Sequence, residues 1–331
     1  MEAKVRHYLP QVGRYHLGGR IMMPHNLRRP VRIATRMIFD PPMRKRYIAK
    51  LRNMGRNAGS GVPCKVCASA NTVSKSVTYL PKNATLEVVV CRSCGHVAAP
   101  DNFKDYSKFT SAKQLGNTPR VGSEGKPGRE YFMAEMAIEA LGREDLSVLV
   151  CGPGRSIDYR RIAGLKQVKK VAIADLMKFF DDAEWVDLNS PVTAKFDIVI
   201  CCEVVEHFTD PPNDFKKTLS YVEDEGVLVC STNIYDGGNL EKQSYLFIRG
   251  HTSYYTPQAL AHIARENDMF VDFRLPEVAT TDAGGPRKRY LIFSRSQQAM
   301  QGLAVYFGSH QFAPSEANPR RADKAAAKVK K

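Results

Sequence analysis

The chain has 331 residues, 43% of them hydrophobic and 25% charged, enough for one large domain or two ordinary ones with a real core, and inconsistent with wholesale disorder. No apolar run reaches the roughly eighteen residues a membrane-spanning helix needs, which excludes an integral membrane protein of that kind. The opening MEAKVRHYLP has no apolar h-region, so a secretory leader is not expected, and Glu2 with no enrichment in Ser argues against an organelle transit peptide.

The net charge of +15 suggests an anionic partner until it is divided along the chain. Residues 1–60 hold 14 Lys and Arg against Glu2 and Asp40, and residues 320–331 hold 6 against Asp323. The other 259 residues carry 29 basic against 31 acidic side chains. The body of the protein is neutral, and the basicity is a property of its two ends.

Segment 1–60 is Arg-rich and broken by Pro10, Pro24, Pro30, Pro41 and Pro42, leaving room only for short amphipathic pieces such as Tyr47, Ile48, Leu51 and Met54 opposite Arg44, Lys45, Arg46 and Arg52. Three readings stay open for it: contact with RNA or a ribosomal surface, attachment to an anionic membrane surface, or a solvated docking arm.

Residues 61–100 read as a small β-rich domain. TVSKSVTYL and ATLEVVV flank a turn near Pro81–Asn83, and Cys64, Cys67, Cys91 and Cys94 form two C-x-x-C pairs with 23 residues between them. A hairpin brings such pairs together as a tetrahedral four-thiolate site suited to zinc, ahead of a rubredoxin-like iron site or a redox dithiol. Four cysteine ligands leave no open position, so the zinc is expected to be structural. The remaining Cys151, Cys201, Cys202 and Cys230 lie in apolar runs. That division suits a reducing cytosol and metal binding better than a disulfide scaffold, so the expected location is cytoplasmic.

Residues 101–128 are polar and end in GSEGKPG, a linker or lid. From 129 to 296, helical patterns alternate with short apolar runs. REYFMAEMAIEALGR reads as a helix ending near Gly142, and 147–151, 170–175, 196–202, 226–232, 269–273 and 290–294 read as strands. Ser156–Ala163, Pro212–Val222 and Pro257–Asn267 read as helices. Continuous apolar strands alternating with helices define an α/β domain with a largely parallel sheet covered on both faces. Residues 297–331 read as a weakly patterned extension with a basic tail, and the sequence contains no internal repeat.

The first strand of that domain runs into Gly152-Pro153-Gly154-Arg155-Ser156 and a helix, a turn that lets backbone approach a ligand at an electropositive helix start. Asp175 ends the next strand 21 residues beyond Gly154, where a carboxylate can accept both hydroxyls of a ribose. Asp187, in EWVDLN, falls where a following loop would meet an adenine edge.

The ordered set VLVCGPGRS, VAIADL, WVDLN, FDIVICCEVVEHFTDP, EGVLVCSTN and HTSYYTPQALAHIARENDMF resembles the class I S-adenosylmethionine-dependent methyltransferases, closest to those with an E-x-x-E-H segment after strand four. The resemblance spans roughly residues 130–295 and implies a Rossmann-like sheet with helices on both faces. It implies that Gly152 and Gly154 line the methionine portion of S-adenosyl-L-methionine, Asp175 holds the ribose, Asp187 and Leu188 flank the adenine, and Cys202 and Glu203 face the cofactor. NAD-binding domains share the glycine turn and ribose acid but not the EVVEHF and HTSYYT segments. Two positions depart from the pattern: Val150 stands where an acid is usual near the end of strand one, and Arg155 precedes Ser156 at the third small position.

Methyl transfer to a hydroxyl needs alignment, exclusion of water and a base. His207 is the leading base, with Glu206 to orient it or bind substrate and His251 in the segment that borders the acceptor in similar enzymes; helix capping by His207 and simple packing by Tyr254 and Tyr255 remain the plainer alternatives. Zinc modules precede some sugar methyltransferases that this chain resembles; the further C-terminal domain of the sugar C-methyltransferases is not expected here, so that resemblance is partial. The expected function is therefore methylation, at oxygen first, of a saccharide or other small-molecule acceptor, with the basic arm free for RNA or a membrane surface. An RNA methyltransferase, and a non-catalytic binding or assembly protein that kept the fold, are the alternatives.

Overall fold

The computed structural model describes residues 61–115, 121–275 and 288–310. The basic segment 1–60, with its three readings, and the basic tail 320–331 lie outside the described residues.

β-branched residues build the first hairpin, β1 (Thr72–Tyr79) and β2 (Ala84–Cys91), paired antiparallel from Thr72 opposite Cys91 to Tyr79 opposite Ala84. The turn between them needs one left-handed residue, supplied by Asn83 at φ +46°. β3 (Val97–Ala98) adds to β2, and a two-residue strand from far along the chain, β9 (Ser253–Tyr254), adds to β3. Val77, Val88 and Val97 pack under this sheet against Tyr235, Leu240, Leu246 and Tyr254.

The large sheet has seven strands. In chain order they are β4 (Leu146–Cys151), β5 (Val168–Asp175), β6 (Glu184–Asp187), β7 (Phe196–Cys202), β8 (Val222–Asn233), β10 (Phe270–Arg274) and β11 (Lys288–Ser294), arranged β10-β11-β8-β7-β4-β5-β6. The run from β8 through β7, β4 and β5 to β6 is parallel, whereas β11 and β10 close the other edge antiparallel.

Alternate side chains of the central strands serve opposite faces. Val148 and Val150 of β4 and Ile198 and Ile200 of β7 join a core with helices α1 (Arg129–Leu141), α2 (Asp158–Ala163) and α5 (Gln297–His310). Leu149 and Cys151, Val199 and Cys201, and Leu228 and Cys230 of β8 join the other core, with Phe215 and Leu219 of α3 (Pro211–Ser220) and Leu260 and Ile263 of α4 (Pro257–Glu266). The α/β class, the largely parallel sheet and the separate small β sheet are thus as expected.

Helix α5 is a correction to the reading of residues 297–310 as a weakly patterned extension. Ala299, Leu303 and Phe307 repeat every four residues and are all buried in the core shared with α1. Gly302 lies so close to α1 that a Cβ there would stand 1.9 Å from the Ala140 carbonyl oxygen. Ser296 anchors the start, its hydroxyl accepting from the Ala299 N–H at 3.2 Å. Among the described residues, no helix is long and apolar enough to cross a membrane.

Candidate cofactor and acceptor site

β4 ends at Cys151, and both Gly152 (φ +59°) and Gly154 (φ +61°) adopt left-handed backbone that side chains resist. Gly152 N–H donates to the Ala174 carbonyl at 2.7 Å, tying the turn to the end of β5. A Cβ on Gly152 would meet Val204 Cγ2 at 2.9 Å, so the turn and the segment after β7 touch. Beneath it, the buried Ser156 hydroxyl donates to Glu130 Oε2 at 3.1 Å. Burial and the neighbouring Asp158 carboxyl push Glu130 up to about 8, while Asp158 accepts the N–H groups of Gly128 at 2.8 Å and Tyr131 at 3.2 Å. Val150 is fully enclosed by the α1 core. Packing thus explains its apolar character, and the buried acids near the turn come from α1 and α2 instead.

Asp175 stands at the end of β5, directly beside Asp187 at the end of β6. Burial pushes its carboxyl up to about 6, although the Leu176 N–H donates to it at 2.7 Å. Asp187 is exposed to local donors on both oxygens. Oδ1 accepts from Asn189 N at 2.8 Å and Oδ2 from the Ser190 hydroxyl at 2.9 Å, which holds the carboxyl below its ordinary range. Leu188 N–H donates to the Asp175 carbonyl at 3.1 Å, so the two predicted cofactor segments are stitched together.

Beyond β7 the chain makes a strained corner: Glu203 has φ +58°, a conformation costing about 1 kcal/mol or more for a residue with a Cβ. Its carboxylate accepts from the Ser231 hydroxyl at 2.8 Å, is paired with Lys288, and lies 3.6 Å from the Arg129 guanidinium. Cys202 is buried, with its sulfur 3.4 Å from the same Ser231 hydroxyl. The cations that balance Glu203 come from α1 and β11, and nothing in the E-x-x-E-H spacing marks them.

Glu206, His207 and His251 converge although 43 residues separate the two histidines along the chain. Glu206 is wholly enclosed; its Oε1 accepts from Tyr245 Oη and lies 4.0 Å from His251 Nε2. The imidazoles meet edge to face at 4.9 Å. His207 Nδ1 lies 2.9 Å from the Gly250 carbonyl, with Tyr106 Oη at 3.3 Å, and His251 Nδ1 lies 2.8 Å from the Tyr245 carbonyl. Burial, and His207 beside it, push His251 down to about 3, which keeps that ring neutral across ordinary pH. Tyr106 comes from the loop of residues 101–115, whose Leu115 also lies against Gly154. Tyr106 and Tyr245 escaped the sequence reading, because each reaches the cluster from a loop without periodicity. Tyr254 and Tyr255 are packing residues: the former sits in the core of the small sheet, and the latter in the α3 and α4 core, its hydroxyl donating to the Val205 carbonyl at 3.0 Å.

The four paired cysteines also converge. Cys64 Sγ lies 3.6 Å from Cys94 Sγ, and Cys67 Sγ 3.6 Å from Cys91 Sγ. A tetrahedron with metal–sulfur bonds of about 2.3 Å has edges of about 3.8 Å, so the donor set fits one ion. Hydrogen bonding with Cys94 lowers the Cys64 thiol to about 3 and raises Cys94 in return. The cluster is joined to the large domain through Thr256, whose hydroxyl donates to the Cys94 carbonyl. A crevice of about 350 Å³ lies alongside, lined by Lys65, Pro100, Phe103, Thr209 and Thr252 among others.

Residues 129–271 match a family model described as a methyltransferase domain. That match lies within the large domain and supports reading it as a methyltransferase domain. No curated protein matches the chain. Among solved structures, it is similar to the 1,6-didemethyltoxoflavin-N1-methyltransferase of Burkholderia thailandensis, at 18% identity and TM-score 0.37 over 50% of this chain and 77% of that one. It is also similar to an S-adenosylmethionine-dependent methyltransferase from Clostridium acetobutylicum, at 11% identity and TM-score 0.39 over 50% and 92% of the two chains. The YcgJ protein of Bacillus subtilis shows 12% identity and TM-score 0.39 over 51% of this chain and 100% of that one.

Proposed function

We propose that this enzyme methylates a hydroxyl of a saccharide or other small-molecule acceptor, using the glycine turn and Asp175 for the cofactor and the Glu206, His207 and His251 cluster for the acceptor. The observation that carries this reading is Val204, which packs against Gly152 and sits between strained Glu203 and buried Glu206. It links the nucleoside side of the site to the imidazole cluster within a few residues.

Gly152 and Gly154 give the backbone room beside the methionine portion, and Asp175 accepts the ribose hydroxyls. With its side chain engaged in the Asn189 and Ser190 turn, Asp187 meets the adenine edge through the shape of that turn, with Leu188 against the ring. S-adenosylmethionine, when bound, supplies a methyl group that leaves its sulfonium as the new oxygen–carbon bond forms. The His207 cluster receives the hydroxyl proton, and Glu206 balances the charge. Glu203 orders the corner by which Cys202 faces the cofactor.

Cys64, Cys67, Cys91 and Cys94 hold a structural zinc that fastens the small sheet to the start of α4. The sugar side of the acceptor preference rests on the resemblance of this module to those of sugar methyltransferases. The basic segment 1–60 serves as a docking arm for an anionic partner and takes no part in the chemistry.

Calorimetry with S-adenosylhomocysteine, followed by transfer of labelled methyl from S-adenosylmethionine to saccharide and RNA pools, tests the reading. Micromolar binding and transfer to saccharides that survives removal of residues 1–60 are expected. Salt-sensitive transfer to RNA that vanishes on that deletion would replace the small acceptor with RNA, and absence of cofactor binding would leave a non-catalytic protein.

A further inference from the structure

We propose that Asn102 is a positioning residue for the acceptor side of the site, the point at which the cysteine module fixes the backbone that holds both imidazoles. Asn102 is 3% exposed, and its Nδ2 lies 3.1 Å from the Leu246 carbonyl, 2.7 Å from that of Ile248 and 3.0 Å from that of His251. Its own carbonyl accepts from the Gly250 N–H at 2.8 Å. One residue thus grips residues 246–251 at four points.

A side-chain amide carries two hydrogens, so three carbonyls share them and one bond is forked. The place calls for a short, neutral side chain with two donors. Alanine would donate nothing and leave the carbonyls without partners. Aspartate, although nearly the same shape, would set a carboxylate against three oxygens that only accept.

The gripped turn carries the imidazoles. The Gly250 carbonyl lies 2.9 Å from His207 Nδ1, and the carbonyl of Tyr245, just ahead of the turn, lies 2.8 Å from His251 Nδ1. Because a carbonyl only accepts, these contacts place the hydrogen on Nδ1 in both rings. Gly250 has φ +102°, and a Cβ there would collide with His207 Nδ1 and Tyr106 Oη, so the backbone itself abuts the ring. The Thr252 N–H, one residue past the turn, donates to the Glu206 carbonyl at 2.9 Å. Glu206, His207 and His251 therefore all take their places from residues 245–252.

Asn102 in turn takes its place from the cysteine module, eight positions beyond Cys94. Between them, β3 pairs with β2 on one side and β9 on the other. The Ala99 N–H donates to the Thr252 carbonyl at 2.8 Å, the Asn102 N–H to the Ala99 carbonyl at 3.0 Å, and Arg249 to the Asp101 carbonyl at 2.9 Å. None of these bonds reaches the glycine turn or Asp175. Asn102 thus orients the acceptor groups and leaves the cofactor groups alone. A displacement of about 1 Å in such groups can cost about a hundredfold in rate. That consequence for transfer rests on the acceptor site proposed above.

Full-length protein labelled with nitrogen-15 histidine reports ring tautomers by long-range proton–nitrogen NMR, with His207→Gln and His251→Gln assigning the two rings. The parent should show Nδ1–H at both. In Asn102→Ala, the His207 ring should pass to a mixture of tautomers, and transfer of labelled methyl to the saccharide pool should fall at least tenfold. Affinity for S-adenosylhomocysteine should stay within about twofold, and zinc content should not change. Asn102→Ser, which keeps one donor, takes the place of the Ala variant if that one does not fold, with the same expectations. Ring spectra that match the parent's overturn the proposal, and so does a loss of S-adenosylhomocysteine binding equal to the loss of transfer. A parent protein that binds S-adenosylhomocysteine and transfers nothing to saccharides removes the small-acceptor reading alone, and the ring spectra then decide the role of Asn102.

Discussion

Thr256 joins Cys94 to helix α4 with a single hydroxyl. It donates to the Cys94 carbonyl and accepts from the Ala259 N–H at 3.1 Å, capping the helix. The cysteine cluster and the large domain therefore share one cap. β9 repeats the connection in backbone, because Ser253 and Tyr254 extend the small sheet just before α4 begins.

Thr256→Ala should remove both bonds and lower stability by about 1 to 2 kcal/mol, read from the midpoint of urea unfolding. Thr256→Ser keeps the hydroxyl and should restore most of the loss. An unchanged midpoint in the Ala variant would show that the shared cap contributes nothing.

Asp175 should make cofactor binding pH-dependent. Its folded carboxyl is raised from 3.8 to about 6 by burial. In the free protein, the group therefore favours folding most below pH 4, and that contribution is lost as pH rises through 6. Ribose hydroxyls donate to the ionised form, so a bound nucleoside pulls the pKa back down and releases a proton. Affinity for S-adenosylhomocysteine should fall as pH drops from 7 to 5, and calorimetry in buffers of different ionisation enthalpy should detect the released proton. Asp175→Asn should bind at least tenfold more weakly, with that slope flattened. A slope unchanged by the substitution would assign the titration to another group.

Gly302→Ala tests the unexpected last helix. The added methyl would stand 1.9 Å from the Ala140 carbonyl oxygen, so α5 must move away from α1. A cost of about 1 to 3 kcal/mol is expected from such overpacking, with a matching fall in the thermal midpoint. A variant as stable as the parent would mean that α5 does not pack there.

Legibility followed range. The central strands were readable because a strand buried on both faces is a continuous apolar run, and the glycine turn because φ near +60° selects glycine. The paired cysteines were readable because a knuckle needs its two thiols at fixed local spacing. Helix α5 was missed for the opposite reason. QQAMQGLAVYFGSH mixes glycine, polar and apolar residues so evenly that only its neighbour α1 picks out Ala299, Leu303 and Phe307 as a face.

Sequence by itself determined the alternation of strand and helix, the left-handed turn after β4, and the two knuckles, since each depends on residues a few positions apart. Tertiary structure alone decided which charges are balanced. Glu203 and Glu206 look equivalent in the E-x-x-E-H pattern, yet Arg129 and Lys288 reach only the first, while two imidazoles reach the second. Electrostatic energy depends on distance through space, and Arg129, Lys288 and His251 lie 74, 85 and 45 residues along the chain from the carboxylates they approach.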